Sequence, residues 1–341
     1  MISVARGPEP AELRKERRVW LARAILAKQS GKPPEFAGYD LMKDMLVRVL
    51  HSKCCYCEME LRKEGNPVEH FRPKAGVQNS GQSKIDNSRY WWLAWTWENL
   101  LFACGRCNTN HKKNQFPLMS ASVPLTEKSV DVDSEQALLI DPSRMDPRLH
   151  IQFQETRTGH WLPVPVNGSP RGKATIQVLR LDEEDDNRFA HVQDRVLPQV
   201  EQLVAMIALG FPSQVIKTWD RTKQMLFSDK MPFQSVSWDV LAQKIPEKTR
   251  CKWGLVLPKL GHTETLSQTP LFDQTDDPPE FAELDEDLKL QIRALGDRAE
   301  SSQVLPILQR LRLLREWKDD ELARLLGRSV PTVQGYLRTS V

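Results

Sequence analysis

The chain has 341 residues, of which 40% are hydrophobic and 27% charged. That balance is ordinary for a globular protein of two or three domains and excludes collagen-like, wholly disordered and coiled-coil rod architectures. No apolar run of about 18 residues occurs, the opening MISVARGPEP lacks the apolar stretch of a secretory signal, and a cytoplasmic chain is expected.

The net charge of +3, from 48 basic and 45 acidic residues, gives no reason on its own to expect a nucleic-acid partner. The charge is unevenly spread, however. Residues 1–120 carry 20 Lys/Arg against 12 Asp/Glu, and residues 264–287 hold nine acids and no base. A basic front half is compatible with a phosphate backbone, although solvated faces are often uneven too.

In chain order, residues 9–29 predict a charged amphipathic helix with Leu13, Val19, Leu21, Ile25 and Leu26 at helical spacing, ended by Gly31-Lys32-Pro33-Pro34. Residues 39–52 predict a second helix with Leu41, Met45, Leu46 and Leu50 on one side. A cysteine knuckle follows, then a brief strand at Val68–Phe71, a polar loop over 75–89, and an aromatic block from Tyr90 to Trp97 expected to serve as core. A second knuckle leads into a short basic helix that stops before Phe116-Pro117. Residues 138–182 read as short strands and turns, and 187–245 as mainly helical, with Leu197, Val200, Leu203, Val204 and Ile207 as one stripe.

The acidic stretch 264–287 reads as a linker, and the tail as a small helical unit. Within the tail, Ala323, Gly327 and Val333 have the offsets of a helix-turn-helix, with Ser329 as cap and Pro331 in the first turn of the second helix. The expected organisation is therefore 1–125, 126–263, the linker 264–287, and 288–341.

Six cysteines are present, at 54, 55, 57, 104, 107 and 251. Cys54-x-x-Cys57 and Cys104-x-x-Cys107 have the spacing that lets two tight turns share one tetrahedral Zn2+. A redox reading needs one such pair beside a βαβ pattern, and none is visible; Cys55 and Cys251 read as ordinary thiols. Between the pairs lie Glu69-His70 and Asn99, and Asn108 directly follows the last cysteine. These groups suit phosphodiester hydrolysis. A neutral imidazole can activate water near pH 7, and a carboxylate with an amide oxygen can hold a hard Mg2+ or Mn2+ ion beside the scissile phosphate.

With Cys54-x-x-Cys57, Glu69-His70, Trp97-Glu98-Asn99-Leu100 and Cys104-x-x-Cys107-Asn108 in this order, the chain resembles the HNH endonucleases. The resemblance implies a zinc-stapled ββα-metal core in a mostly helical α+β body. It implies His70 as general base, Asn99 as the residue that orients it, Glu69 and Asn108 as ligands of a catalytic Mg2+ or Mn2+, and products with 5′-phosphate and 3′-hydroxyl ends. His111 is a further candidate ligand. The longer strings CCYCEMEL, VEHFRPK and YWWLAWTWENLLFACGRCNTNHKKNQFPL are similar to the HNH component (PtuB-like) of Septu-type anti-phage systems, a component also found with some retrons. That likeness implies an ABC-type ATPase partner and a nucleic-acid substrate, with DNA expected. The helix-turn-helix tail departs from the short form of that family.

Each feature also has a plainer explanation. A zinc knuckle without catalysis accounts for the cysteines but not for Glu69, His70 and the two asparagines. Arg72, Lys74, Arg106, Lys112 and Lys113 are candidate phosphate contacts, or equally a solvated basic face. In the tail, Arg328, Gln334 and Arg338 offer little charge for DNA, so protein contact is an alternative there. The competing function is a non-catalytic, zinc-containing DNA-binding regulator acting through that tail.

Overall fold

The computed structural model describes residues 1–79, 81–127, 129, 134–261, 277–297 and 299–339. Its helices, in chain order, are α1 (Ala11–Gln29), α2 (Lys43–Val49), α3 (Pro170–Leu179), α4 (Asp186–His191), α5 (Leu197–Leu209), α6 (Pro212–Phe227), α7 (Gln234–Lys244), α8 (Glu247–Trp253), α9 (Glu286–Arg293), α10 (Ser301–Leu314), α11 (Asp319–Leu326) and α12 (Val330–Thr339). The strands β1 (Val68–His70) and β2 (Leu100–Phe102) form one antiparallel pair, and β3 (Ile151–Glu155) and β4 (Trp161–Pro165) another. The fold is thus α+β and mostly helical, with small sheets.

The chain divides into two compact units. The first comprises Met1–Pro8, Met42–Tyr90 and Leu100–Ser267. In it, β1 and β2 pair with Val68 opposite Phe102, Glu69 opposite Leu101 and His70 opposite Leu100. Directly after β2 comes a wide helical segment, Arg106–Lys112. One core of this unit is built from Phe153 and Trp161 of the β3–β4 pair and from buried faces of α5, α6 and α7, including Leu203, Trp219 and Val240. Of the stripe expected on α5, Val200 and Leu203 are buried while Val204 is 46% exposed.

The second unit comprises Glu9–Leu41, Trp91–Asn99 and Gln268–Val341. Here α1 packs on α9, and α11 on α12. The tryptophans 91, 92, 95 and 97 are all buried, and Trp95 Nε1 donates to the Ala37 carbonyl at 2.7 Å, so the aromatic block is core. Helices α11 and α12 are joined by a three-residue turn. Ala323 and Val333 are buried, Gly327 takes the left-handed conformation at φ 60°, and the Ser329 hydroxyl accepts from the Thr332 N–H.

Four expectations are corrected. The second helix begins only at Lys43, after a tight turn at Tyr39–Met42, and Leu41 is 44% exposed. Within 138–182, read as short strands and turns, the structure adds α3, which opens with Pro170 and Gly172. They belong to its first turn, where Ser169 caps the Gly172 N–H and the ring of Pro170 is tolerated. Of the linker, 264–276 lies outside the described residues. Its remainder is built into the second unit, where Phe281 and Leu284 are buried and Asp277, Glu280 and Glu283 are paired with arginines. Finally, the boundary expected at 125–126 falls inside the first unit.

Candidate functional site

The two cysteine turns meet at one end of the β1–β2 pair. The Cys54 N–H donates to Met59, and the Cys55 N–H to Phe102 at the end of β2, which seats the first turn against the strand leading to the second. The Sγ atoms of Cys54, Cys57, Cys104 and Cys107 all lie within 4.8 Å of one another, with Cys57 and Cys104 3.8 Å apart. Zinc–sulfur bonds of about 2.3 Å in a tetrahedron place sulfurs about 3.8 Å apart. Backbone N–H groups of Cys104 and Cys107 donate to the sulfurs of Cys54 and Cys104, each at 3.3 Å, which favours thiolates. Three of the four residues are buried and Cys57 is half-buried. This group could hold a metal such as zinc in a closed, four-thiolate cage. Burial pushes the Cys55 thiol well up, aided by the neighbouring Cys54, and Cys251 is exposed; neither belongs to the cage.

Glu69 and His70 are consecutive strand residues, so their side chains leave β1 on opposite faces. Glu69 is 1% exposed, and its Oε1 accepts from the Tyr56 hydroxyl at 3.0 Å and the Lys112 ammonium at 2.8 Å. Lys112, also 1% exposed, donates to the His70 carbonyl at 2.8 Å. His70 closes β1 and is buried. Asn108 sits on the helical segment, its Nδ2 facing the Val68 carbonyl at 3.5 Å. The structure therefore places Glu69 and His70 on β1 and Asn108 on the segment that follows β2, where its amide reaches the Val68 backbone. Asn99 immediately precedes β2; it is buried, and its amide donates to the Leu93 carbonyl at 3.0 Å.

The seat expected for a divalent ion does not fit Glu69 as it stands. An ammonium and a phenol already occupy Oε1, and the carboxylate is closed off from solvent. His111 is no extra ligand to such an ion, because its Nδ1 engages the Leu179 carbonyl at 2.8 Å and its Nε2 faces Glu183 at 3.8 Å.

Three of the five candidate phosphate contacts are likewise spent internally. Arg72 is buried against Glu135 at 2.7 Å, Arg106 pairs with Asp185 at 2.7 Å and Glu183 at 3.2 Å, and Lys112 holds Glu69. Lys113 is exposed and Lys74 half-buried. Sequence reasoning missed Tyr56 as part of this network, although its place inside the first cysteine turn was a usable signal.

Two paired strands and a helical segment beside a four-cysteine group that could hold a metal, set in a mostly helical body, define an α+β protein with small sheets. Over 221 residues the chain is 30% identical to the Septu protein PtuB of Bacillus mycoides (strain KBAB4), covering 61% of this chain and 73% of that protein. It is 28% identical to a Septu protein PtuB of Bacillus thuringiensis over 174 residues, covering 50% of this chain and 52% of that one. It is also 23% identical over 208 residues to the Septu protein PtuA of Bacillus mycoides (strain KBAB4), covering 60% of this chain but only 28% of PtuA. No protein-family profile matches the chain, and no solved structure matches it. The chain belongs to the Septu PtuB family, and so to the components of that defence system. Among the described residues, no helix is long and apolar enough to cross a membrane.

Proposed function

We propose that the chain is the nuclease of a Septu-type anti-phage system, an HNH-type endonuclease that hydrolyses phosphodiester bonds, with DNA as the expected substrate. The observation that carries this reading is the site's construction. One strand bearing His70, its partner strand and the segment bearing Asn108 lie beside four clustered cysteine sulfurs whose spacing suits a structural Zn2+. In this reading His70 takes a proton from water as the water oxygen attacks phosphorus. The 3′-oxygen then leaves with the electron pair of its bond to phosphorus and takes a proton from solvent, giving 5′-phosphate and 3′-hydroxyl ends. As the resemblance implies, Asn99 would orient the base and Asn108 would be a ligand of the catalytic ion. The Mg2+ or Mn2+ that the resemblance implies would offset charge on the phosphate. Because Glu69 is paired with Lys112, no step is assigned to an ion there.

The proposed partner is an ABC-type ATPase of the PtuA kind; the similarity of 208 residues to part of one PtuA supports the link between the two. The alternative, a DNA-binding regulator acting through the tail, has less support. Gln334 donates to Asp319 at 2.9 Å and Arg328 to the Gly296 carbonyl, so two of its three candidate DNA contacts serve the unit itself.

The test is cleavage of plasmid and single-stranded substrates by the chain with its PtuA-type partner. His70→Ala is expected to lower the rate by about 100-fold or more, with metal content and Tm unchanged. Cleavage at the wild-type rate by that variant would sink the assignment.

A further inference from the structure

Lys112 is among the largest fully buried side chains, an unusual place for an ammonium. Its Nζ lies 2.8 Å from Glu69 Oε1 and 2.8 Å from the His70 carbonyl oxygen, and Tyr56 donates to the same carboxylate oxygen. This one cluster therefore joins three pieces of chain: the first cysteine turn through Tyr56, β1 through Glu69 and His70, and the helical segment through Lys112.

The shape of that segment explains how a lysine comes to be inside. The Lys113 N–H bonds back five residues, to the Asn108 carbonyl at 2.8 Å. Five-residue bonding puts residues five apart on one face, as four-residue bonding does in an ordinary helix. The two buried residues of the segment, Cys107 and Lys112, are five apart. The face that turns a cysteine toward the metal cage thus turns Lys112 toward Glu69. Such wide turns recur at functional sites.

We infer that Lys112 is a positioning residue. Its ammonium is the built-in counter-ion of Glu69 and, through the His70 carbonyl, fixes the end of β1 against the segment that carries Asn108. The pairing follows from burial: a carboxylate this enclosed is costly unless an opposite charge and hydrogen bonds meet it. The protein's own cation thereby sits beside Glu69 where a divalent ion was expected, and Lys112 competes with any such ion for that carboxylate. The link to His70 chemistry rests on the nuclease reading; the ion pair does not.

The two are tested apart. Glu69→Gln, Lys112→Met and the double variant are made in the full chain, and Tm and zinc content are measured with and without added Mn2+. Each single change is expected to lower Tm on the order of 10 °C. The double variant should lose clearly less than the sum. Mn2+ should raise the Tm of Lys112→Met more than that of wild type, because it refills the vacated counter-charge. Lys112→Arg, which keeps the charge, should recover part of the loss and gives a foldable variant if Lys112→Met does not accumulate. Additive losses, or an equal Mn2+ shift in wild type and Lys112→Met, would overturn the assignment whether or not the chain cuts DNA. Cleavage by Lys112→Arg at a reduced rate, with Tm close to wild type, would support positioning of His70 specifically.

Discussion

His191 shows how burial sets chemistry at a single residue. It lies in the core of the first unit, its Nε2 2.9 Å from the Ser237 hydroxyl and its ring beside Phe233. Burial, helped by the nearby Arg195 charge and opposed by Glu58, brings its pKa from 6.5 down to about 4. The unfolded chain takes up a proton near pH 6.5 whereas the folded chain does not until about pH 4. Folding stability is therefore lost as pH falls through that window, by on the order of 3 kcal/mol from this group. A Tm–pH profile should show the loss, and His191→Gln should flatten it between pH 6.5 and 4. Changing any of Cys54, Cys57, Cys104 or Cys107 to Ser should cost the bound metal, read by elemental analysis, whereas Cys251→Ser should leave it in place. The cysteine cage was legible in the sequence because each pair is three residues apart and its spacing is local. The fate of Arg72 and Arg106 was not, because their carboxylate partners lie 63 and 79 residues away in the chain. A side chain that reads as a phosphate contact in sequence becomes half of an ion pair, buried for Arg72 and near the surface for Arg106, only once the fold has brought that partner to it.

At the scale of elements, the short pieces of the site are the best-read and the least self-sufficient. The strand at Val68–His70 was expected, yet three residues paired with three cannot stand alone; neighbouring turns and the thiolate cage hold them. Helix α3 was missed because Pro and Gly near a helix start are turn signals until the Ser169 hydroxyl is seen to accept from the Gly172 N–H. Gly172 is needed there for a reason no sequence shows: a Cβ on it would lie 2.1 Å from the His150 carbonyl oxygen. Gly172→Ala is expected to destabilise the first unit by about 1–3 kcal/mol, read as a shifted urea midpoint. The α11–α12 pair was legible because its packing residues sit at fixed offsets within one short stretch. What the pair touches was not, since Gln334 and Arg328 look free in sequence and are bonded to Asp319 and Gly296 in the structure.

For the whole molecule, the basic front half gave a misleading picture of the surface. Part of its positive charge is interior: Arg6, Arg17, Arg72 and Lys112 are all buried, and each is matched by a carboxylate. Nucleic-acid binding carried by the remaining exposed lysines should weaken only gently with salt, since each phosphate contact contributes about −0.9 to the log–log slope; binding across a salt series measures it. The division into two units also changes how the tail must be studied. Helix α1, near the start of the chain, packs on α9, near its end, and Lys15 pairs with Asp297. Deleting 288–341 removes most of α9 and all of α10–α12, and with them the surface that α1 is built to cover. The truncated chain is expected to give less soluble protein and a lower Tm, so loss of DNA binding by it would not identify a DNA-binding tail. Arg338→Glu in the intact chain is the cleaner probe.

The wide turn at Arg106–Lys112 has a consequence for how this segment can change in length. A helix that bonds back five residues is an ordinary helix with one residue inserted. Removing one residue between Cys107 and Lys112, such as Asn110, would leave the two buried residues four apart, which is the spacing that shares a face in regular α-helix. A single-residue deletion there should spare both the metal cage and the Lys112–Glu69 pair, while the same deletion between Cys104 and Cys107 should destroy the cage. Metal content of the two deletants would tell them apart. Length here is a tuned quantity, with slack on one side of Cys107 and none on the other.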